Sequence, residues 1–285
     1  RLNGANFYVK NAYLQYKLND AFVVRAGASD MPWIPFAEGV YGNRYVENVL
    51  LERVSGFGNS ADWGVHVNGT LGDPKSLNVT YAVSAVDGAG YRNPVRSNSV
   101  DLEGRVALNY HGAVAAVGGY TGKLAADVQN VAVTAPGNTI RNATRFNALL
   151  GYVDKRFHIG AEYFWAKDFS QAIVLGGAEN VTSGYSGYGM VNITPKFAVF
   201  GRYDTVKPSD YLAPHRYDTY YNLGVTYSPA KIVDLSLVYK HDAVKTNNNV
   251  FAPGTVGTSN GTVGTNTLGA SGTYDEIGLF GQWRF

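Results

Sequence analysis

The final twelve residues, Tyr274 to Phe285, place Ile277, Leu279, Gly281, Trp283 and Phe285 on one face of an extended chain and Glu276, Gly278, Phe280, Gln282 and Arg284 on the other. Alternation with a period of two belongs to a strand; a helix would scatter both sets around its circumference. A strand with one apolar and one mixed, polar face that closes on an aromatic residue meets the demands of a barrel in a bilayer, with lipid outside, water inside and an amphipathic ring at the interface. This feature constrains the fold most tightly because it sets the solvent.

Composition agrees with that solvent. Charged residues make up 16% of the 285, against roughly 25% in ordinary globular domains. The 34 glycines and 21 tyrosines supply turns and amphipathic rings, and the absence of cysteine excludes a disulfide framework. A net charge of +2 gives no basis for a nucleic-acid partner. No apolar run reaches the roughly 18 residues of a membrane-spanning helix, so any crossing is made by strands.

The same alternation recurs in segments near the roughly 9 to 11 residues that a tilted membrane strand requires. It predicts hairpins from Phe7–Leu18 with Ala21–Ser29, Asp62–Leu71 with Leu77–Val86, Val100–Tyr110 with Ala113–Lys123, and Arg145–Val153 with Phe157–Ala166. Ser183–Thr194 with Phe197–Asp204, Tyr217–Tyr227 with Ile232–Asp242, and the single strand Thr273–Phe285 complete a count of thirteen. Tight turns alternate with long segments rich in Gly, Asn, Thr, Ser and Pro, such as Leu124–Ala143 and Val244–Gly272, which is the asymmetry of short periplasmic turns and long external loops. The expected fold class is all-β: a transmembrane antiparallel β-barrel forming one domain over residues 1–285. If tight turns lie inside, the first strand runs inward, and an antiparallel barrel needs an even count. One or three strands are therefore expected upstream, for 14 to 16 in all, with 16 preferred.

The faces sort as a barrel demands. One phase carries Leu14, Val24, Val65, Val83, Val106, Leu150, Ile159, Val199, Leu223, Leu237 and their like, with no charge. An Arg or Lys there would cost about 2–4 kcal/mol at the bilayer midplane and little near the interface. Lys10, His241 and Asp275 break the pattern only near loop-side ends. Aromatics gather at both strand termini: Tyr16, Phe22, Tyr110, Tyr152, Phe157, Phe197, Tyr227 and Phe285 by the short turns, and Tyr8, Trp63, Tyr120, Trp165, Tyr185, Tyr203 and Tyr239 toward the long loops. Two interfacial girdles are expected. Small residues on this phase, Ala12, Ala26, Ala28 and Gly69, would let a neighbouring barrel approach.

The opposite phase is polar. It carries Lys17, Arg25, Arg105, Lys123, Arg145, Arg202, Lys240 and Arg284 against Asp101, Glu103, Glu162, Asp204, Asp218, Asp234, Asp242 and Glu276, eight of each sign. A dry core would have to partner nearly all of them, so the interior is expected to be wet, with these residues lining a pore. Thirteen or more strands are too many for side chains alone to fill the interior.

Residues 30–61 form the most distinctive loop. The prolines of Met31-Pro32-Trp33-Ile34-Pro35-Phe36 exclude a central strand, and Tyr45, Val46, Val49, Leu50 and Arg53 follow at helical spacing. So apolar a loop is expected to fold into the lumen as a constriction, with Glu38, Arg44, Glu47, Glu52 and Arg53 at the narrowest passage; an external lid or a subunit contact is the alternative.

The runs Val9-Lys10-Asn11-Ala12-Tyr13-Leu14-Gln15-Tyr16-Lys17, Val24-Arg25-Ala26-Gly27, Pro35-Phe36 and Leu51-Glu52-Arg53 resemble the phosphate-selective porin (O/P type) family of Gram-negative outer membranes, over about the first fifty-five residues. The resemblance implies a 16-stranded, commonly trimeric barrel with strands upstream of the matching region, and an anion or phosphate preference. Where that family often has Gln-Phe-Lys after the glycine, this chain has Ala28-Ser29-Asp30, and the family's ladder of arginines and cluster of lysines is not evident.

The five histidines, His66, His111, His158, His215 and His241, show no ligand spacing and no accompanying nucleophile motif, so neither an enzyme nor a zinc site is expected; Asp87 and Asp210 are loop carboxylates of the kind that hold calcium, without a motif around them. The expected function is an outer-membrane porin for small hydrophilic solutes or ions, without cofactor or metal, contacting membrane lipid, lipopolysaccharide and two further copies of itself. A plugged barrel with a structural or adhesive role through its external loops is the alternative.

Overall fold

Alternating segments rich in valine, tyrosine and leucine pair edge to edge because a strand that buries only one face leaves its backbone groups to be satisfied by its neighbours. The computed structural model describes residues 8–53, 57–92, 94–126, 140–169, 179–210, 214–246, 256–258, 261–263 and 272–284. Its strands are β1 (Ala12–Asn19), β2 (Phe22–Asp30), β3 (Ala61–Gly72), β4 (Leu77–Val86), β5 (Asp101–Tyr110), β6 (Ala113–Gly122), β7 (Ala143–Val153) and β8 (Phe157–Lys167). They continue with β9 (Val181–Thr194), β10 (Phe197–Lys207), β11 (Arg216–Ala230), β12 (Val233–Thr246), the short pair β13 (Val256–Thr258) and β14 (Gly261–Val263), and β15 (Gly272–Trp283). Two helices, α1 (Ile34–Tyr41) and α2 (Leu50–Arg53), lie between β2 and β3.

Thirteen strands make one sheet in chain order from β1 to β12 and then β15, each antiparallel to the next. The count matches the sequence reading, and β4 spans the expected residues. Two details differ. The first strand starts at Ala12, five residues later than expected, and the segment after β12 contains the hairpin β13–β14, which alternation did not mark. Phe7, Phe285 and most of the two long glycine-rich loops lie outside the described residues. Among the described residues β1 and β15 are not paired with each other, and twelve antiparallel steps leave them running in the same direction.

Register fixes the faces. Leu14, Leu150, Leu223, Ile277 and Leu279 are exposed at 83%, 65%, 60%, 78% and 83%, on the phase expected to meet lipid, while the opposite phase turns inward. Tyr120 belongs to that inner phase: it is buried and donates its hydroxyl to Asp101. It is not a girdle residue. Ala28 is fully buried and offers no contact to a neighbouring barrel. Near the loop-side rim His241 Nδ1 and Tyr239 Oη lie 2.8 and 2.6 Å from Asp275 Oδ1, so the outward charges there are held within one cluster.

Turns are tight at one end. His111 and Gly112 both have positive φ (45° and 88°), the two-residue hairpin geometry that matches strand twist. At the β7–β8 turn, Asp154 accepts the amides of Arg156 and Phe157 at 2.6 and 2.7 Å, closing the corner with a side chain.

Candidate functional site

The inner face is crossed by residues 31–53. Met31 donates its amide to Ser60 O at 3.0 Å, closing the neck, and the helix begins where Trp33 is caught. Trp33 donates its amide to Glu103 Oε1 at 2.9 Å and its Nε1 to Glu162 Oε1 at 2.8 Å. Pro35 sits in the first turn of α1, where a missing amide costs nothing. Helical spacing had pointed to residues 45–53, but the longer helix is this earlier one, and only the four residues of α2 are helical in the later stretch. Gly42, at φ 79°, ends α1 by donating to Glu38 O at 2.9 Å.

α1 buries Ile34, Ala37, Val40 and Tyr41 on one side, against Val114, Leu149, Phe164 and Tyr188 of the sheet. Close approach depends on strand glycines. A Cβ on Gly118 would stand 2.6 Å from Trp33 Cε3, and one on Gly151 would stand 2.7 Å from Val40 Cγ1. The apolar core of the molecule is thus on the concave side, between loop and wall.

The second half of the crossing is held by charge. Lys240, on β12, donates its ammonium to Val46 O at 2.7 Å and lies 3.1 Å from Glu47 Oε2. Tyr45 Oη is 2.7 Å from Ser236 Oγ. Arg202 donates to Asn48 O at 2.6 Å and to Asp204 Oδ1 at 2.8 Å. Arg53, the last residue of α2, reaches Asp204 at 2.7 Å, Asp218 at 2.5 Å and Asp242 at 3.5 Å, with its guanidinium 4.6 Å from the Tyr220 ring centre. Arg145 pairs with Glu103 at 2.7 Å and also donates to Phe57 O. Each burial of an ion costs several kcal/mol unless paired, and these pairs offset that cost where the loop meets the wall.

The wall residues expected to line a pore therefore divide. Arg145, Arg202 and Lys240 are buried, as are Asp101, Glu103, Glu162, Asp204, Asp218, Asp234 and Asp242. Lys17, Arg25, Arg105 and Arg284 stay wholly or partly accessible, and Glu276 is the one acid of the eight that does. Lys123 stands just past β6, where its amide and that of Leu124 donate to Asp101 at 2.8 and 2.7 Å. Arg105 donates to Pro32 O at 2.8 Å and lies 4.0 Å over the Phe36 ring. Arg25 donates to Gln15 Oε1 at 2.8 Å, Lys17 lies 2.6 Å from Asp20, and Arg284 lies 2.7 Å from Asp234. On the loop, Arg53 is buried, while Glu38, Arg44 and Glu52 remain on the free side.

At the short-turn end a cavity of about 860 Å³ opens between Gly42, Tyr45 and the strands, with Lys155, Arg156, His158, Lys231 and Arg284 in its lining and Asp234 as its acid. The sequence reading did not single out Lys155, Arg156 or Lys231. Their placement in two short turns at the same end of the sheet, β7–β8 and β11–β12, was the available signal. A second cavity of about 700 Å³ lies along Lys17, Arg105, Asn68 and Thr80.

No known family model matches the chain, and no curated protein matches it. Solved structures do. OmpT of Vibrio cholerae in its trimer form superposes with a TM-score of 0.58 at 14% identity, covering 99% of this chain and 82% of that one. The anion-selective porin of Comamonas acidovorans gives 0.58 at 13% identity over 95% and 76%. The outer-membrane channel DcaP of Acinetobacter baumannii gives 0.53 at 11% identity over 93% and 73%. The fold is that of the antiparallel barrel wall these outer-membrane proteins share.

Proposed function

We propose that the chain lines a water-filled channel in the bacterial outer membrane, through which small hydrophilic solutes, anions above all, diffuse down their gradients. The observation that carries the reading is the unequal burial of charge on the concave face. Seven of the eight wall acids are buried, while Lys17, Arg25, Arg105 and Arg284 remain accessible. Eight charges of each sign in sequence thus become a cationic lining in water, and a wall of one sign concentrates counter-ions in a confined lumen. The basic cavity at the short-turn mouth supports the same sign. So does the resemblance of the first fifty-five residues to phosphate-selective porins, and one structural match is an anion-selective porin.

In this reading residues 30–61 are the constriction, with Glu38, Arg44 and Glu52 at its free edge and Arg53 as its anchor. The exposed apolar face meets lipid and, on its outer half, lipopolysaccharide. The parallel sense of β1 and β15 is compatible with an even-stranded antiparallel barrel, such as the 14 to 16 strands expected from sequence. Exposed Ala12 and Ala26 supply a close-approach face for a homotrimer, the form in which the OmpT match is described.

A plugged barrel with a structural or adhesive role is favoured by one observation, the apolar core that α1 builds on the concave side. Planar-bilayer conductance in a salt gradient decides between them. The channel reading expects steady steps and a reversal potential of anionic sign; a folded, heat-modifiable protein that passes no current would transfer the assignment to the plug.

A further inference from the structure

Three charges occupy the free side of the crossing segment: Glu38, Arg44 and Glu52. Arg44 Nε lies 2.6 Å from Glu38 Oε1 and 3.3 Å from Glu52 Oε2. That nitrogen carries one hydrogen, and the shorter contact takes it. Glu52 Oε2 is left buried without a hydrogen-bond donor, held by charge alone. Two carboxylates on one guanidinium leave one negative charge in excess.

The other charged groups near Glu52 each have a partner of their own. Lys10, just before β1, is 3.4 Å from Asp30 and is engaged there. Arg92 lines the same cleft as Arg44 and Glu52 but lies over the rings of Tyr8 and Tyr91. Glu38 is bound to Arg44. Burial raises the Glu52 carboxyl above its ordinary range; Arg44 and, to a smaller extent, Lys10 oppose the shift, and Glu38 reinforces it. Protonation of Glu52 would leave Glu38 and Arg44 as a neutral pair.

We propose that Glu52 is a proton-operated determinant of ion selectivity, its ionised form holding the free face of the crossing segment negative against the cationic wall and its protonated form releasing that wall to favour anions. The inference rests on the channel reading above. A carboxyl whose pKa is raised takes up its proton on acidification before ordinary glutamates do, so anion preference grows as pH falls. One unit charge at about 7 Å in water changes the local concentration of each ion about two- to threefold, in opposite senses for anions and cations.

The test is the reversal potential of the full chain in a potassium chloride gradient, taken from about pH 7.5 to about pH 5, for wild type, Glu52→Gln and Arg44→Gln. Wild type should gain anion preference on acidification. Glu52→Gln should show the acidified value throughout and lose the pH response, and Arg44→Gln should shift toward cations at neutral pH. Heat-modifiability establishes that each variant is folded, and the opposite sign expected of Arg44→Gln keeps the proposal exposed should Glu52→Gln fail to fold. Open channels whose potentials and pH response are the same in all three overturn this inference alone. Wild-type protein that inserts and passes no current overturns the channel reading and this inference with it.

Discussion

Arg53 Nη2 stands 2.5 Å from Asp218 Oδ1, both side chains fully buried, and so fixes the end of a four-residue helix to the inner face of β11. Substituting Arg53→Met would leave Asp204, Asp218 and Asp242 without their shared cation. Removing one partner of a buried charge cluster costs about 3–5 kcal/mol. The loop, rather than the sheet, should yield, because strand pairing does not pass through Arg53. Limited proteolysis is expected to cut residues 31–53 faster in the variant while heat-modifiability of the barrel persists; equal cutting rates would show that the apolar contacts of α1 hold the loop without it.

The exposed apolar face makes a depth-dependent prediction. Leu237 lies mid-strand on β12 and is 55% exposed, whereas Ile232 lies at the short turn and is 52% exposed. Leu237→Arg should destabilise the bilayer-folded protein by about 2–4 kcal/mol and Ile232→Arg by no more than about 1 kcal/mol. Equilibrium folding into liposomes measures both, and equal penalties would contradict the assignment of this face to lipid.

Gly42 ends α1 with φ 79°, and a Cβ there would lie 3.0 Å from His158 Nδ1. Gly42→Val combines a left-handed backbone at a β-branched residue with that close contact, costing about 1–2 kcal/mol. The expected outcome is a lower apparent Tm with altered conductance, since Gly42 also borders the short-turn cavity. An unchanged Tm would mean that the turn relaxes into the cavity.

Asp154, in the β7–β8 turn, has its carboxyl pKa lowered by the amides of Phe157 and Arg156. A folded value below the unfolded one of about 3.9 gives stabilisation that is complete above that pH and fades as pH falls through the folded value. Amide exchange at Phe157 should therefore accelerate below about pH 4 in wild type, over and above the intrinsic pH effect. Asp154→Ala should exchange faster at neutral pH and lose the additional acid response.

Strand order and facing were legible because lipid and water impose opposite chemistry on neighbouring residues, as in Leu77–Val86. Tyr120 was misplaced because β6, Ala-Val-Ala-Ala-Val-Gly-Gly-Tyr-Thr-Gly, is apolar or small on both faces, its inner face being shaped to receive Trp33. α1 was hidden by its prolines, which mark the start of this helix rather than an interruption. The division of wall charges into buried and accessible sets was not legible at all: it depends on Arg53 finding Asp204, Asp218 and Asp242, distant partners that no local pattern announces.

Those separations also order events in time. Arg53 meets Asp204 across 151 residues and Asp218 across 165, and Glu47 meets Lys240 across 193. The crossing segment is synthesised before β10 to β12, so Arg53 and Glu47 stay without these partners until those strands are in place, and contacts of such long range are slow to form. Docking of the loop is thus a late checkpoint in assembly, a seal set only on a wall in which β10, β11 and β12 have already arrived.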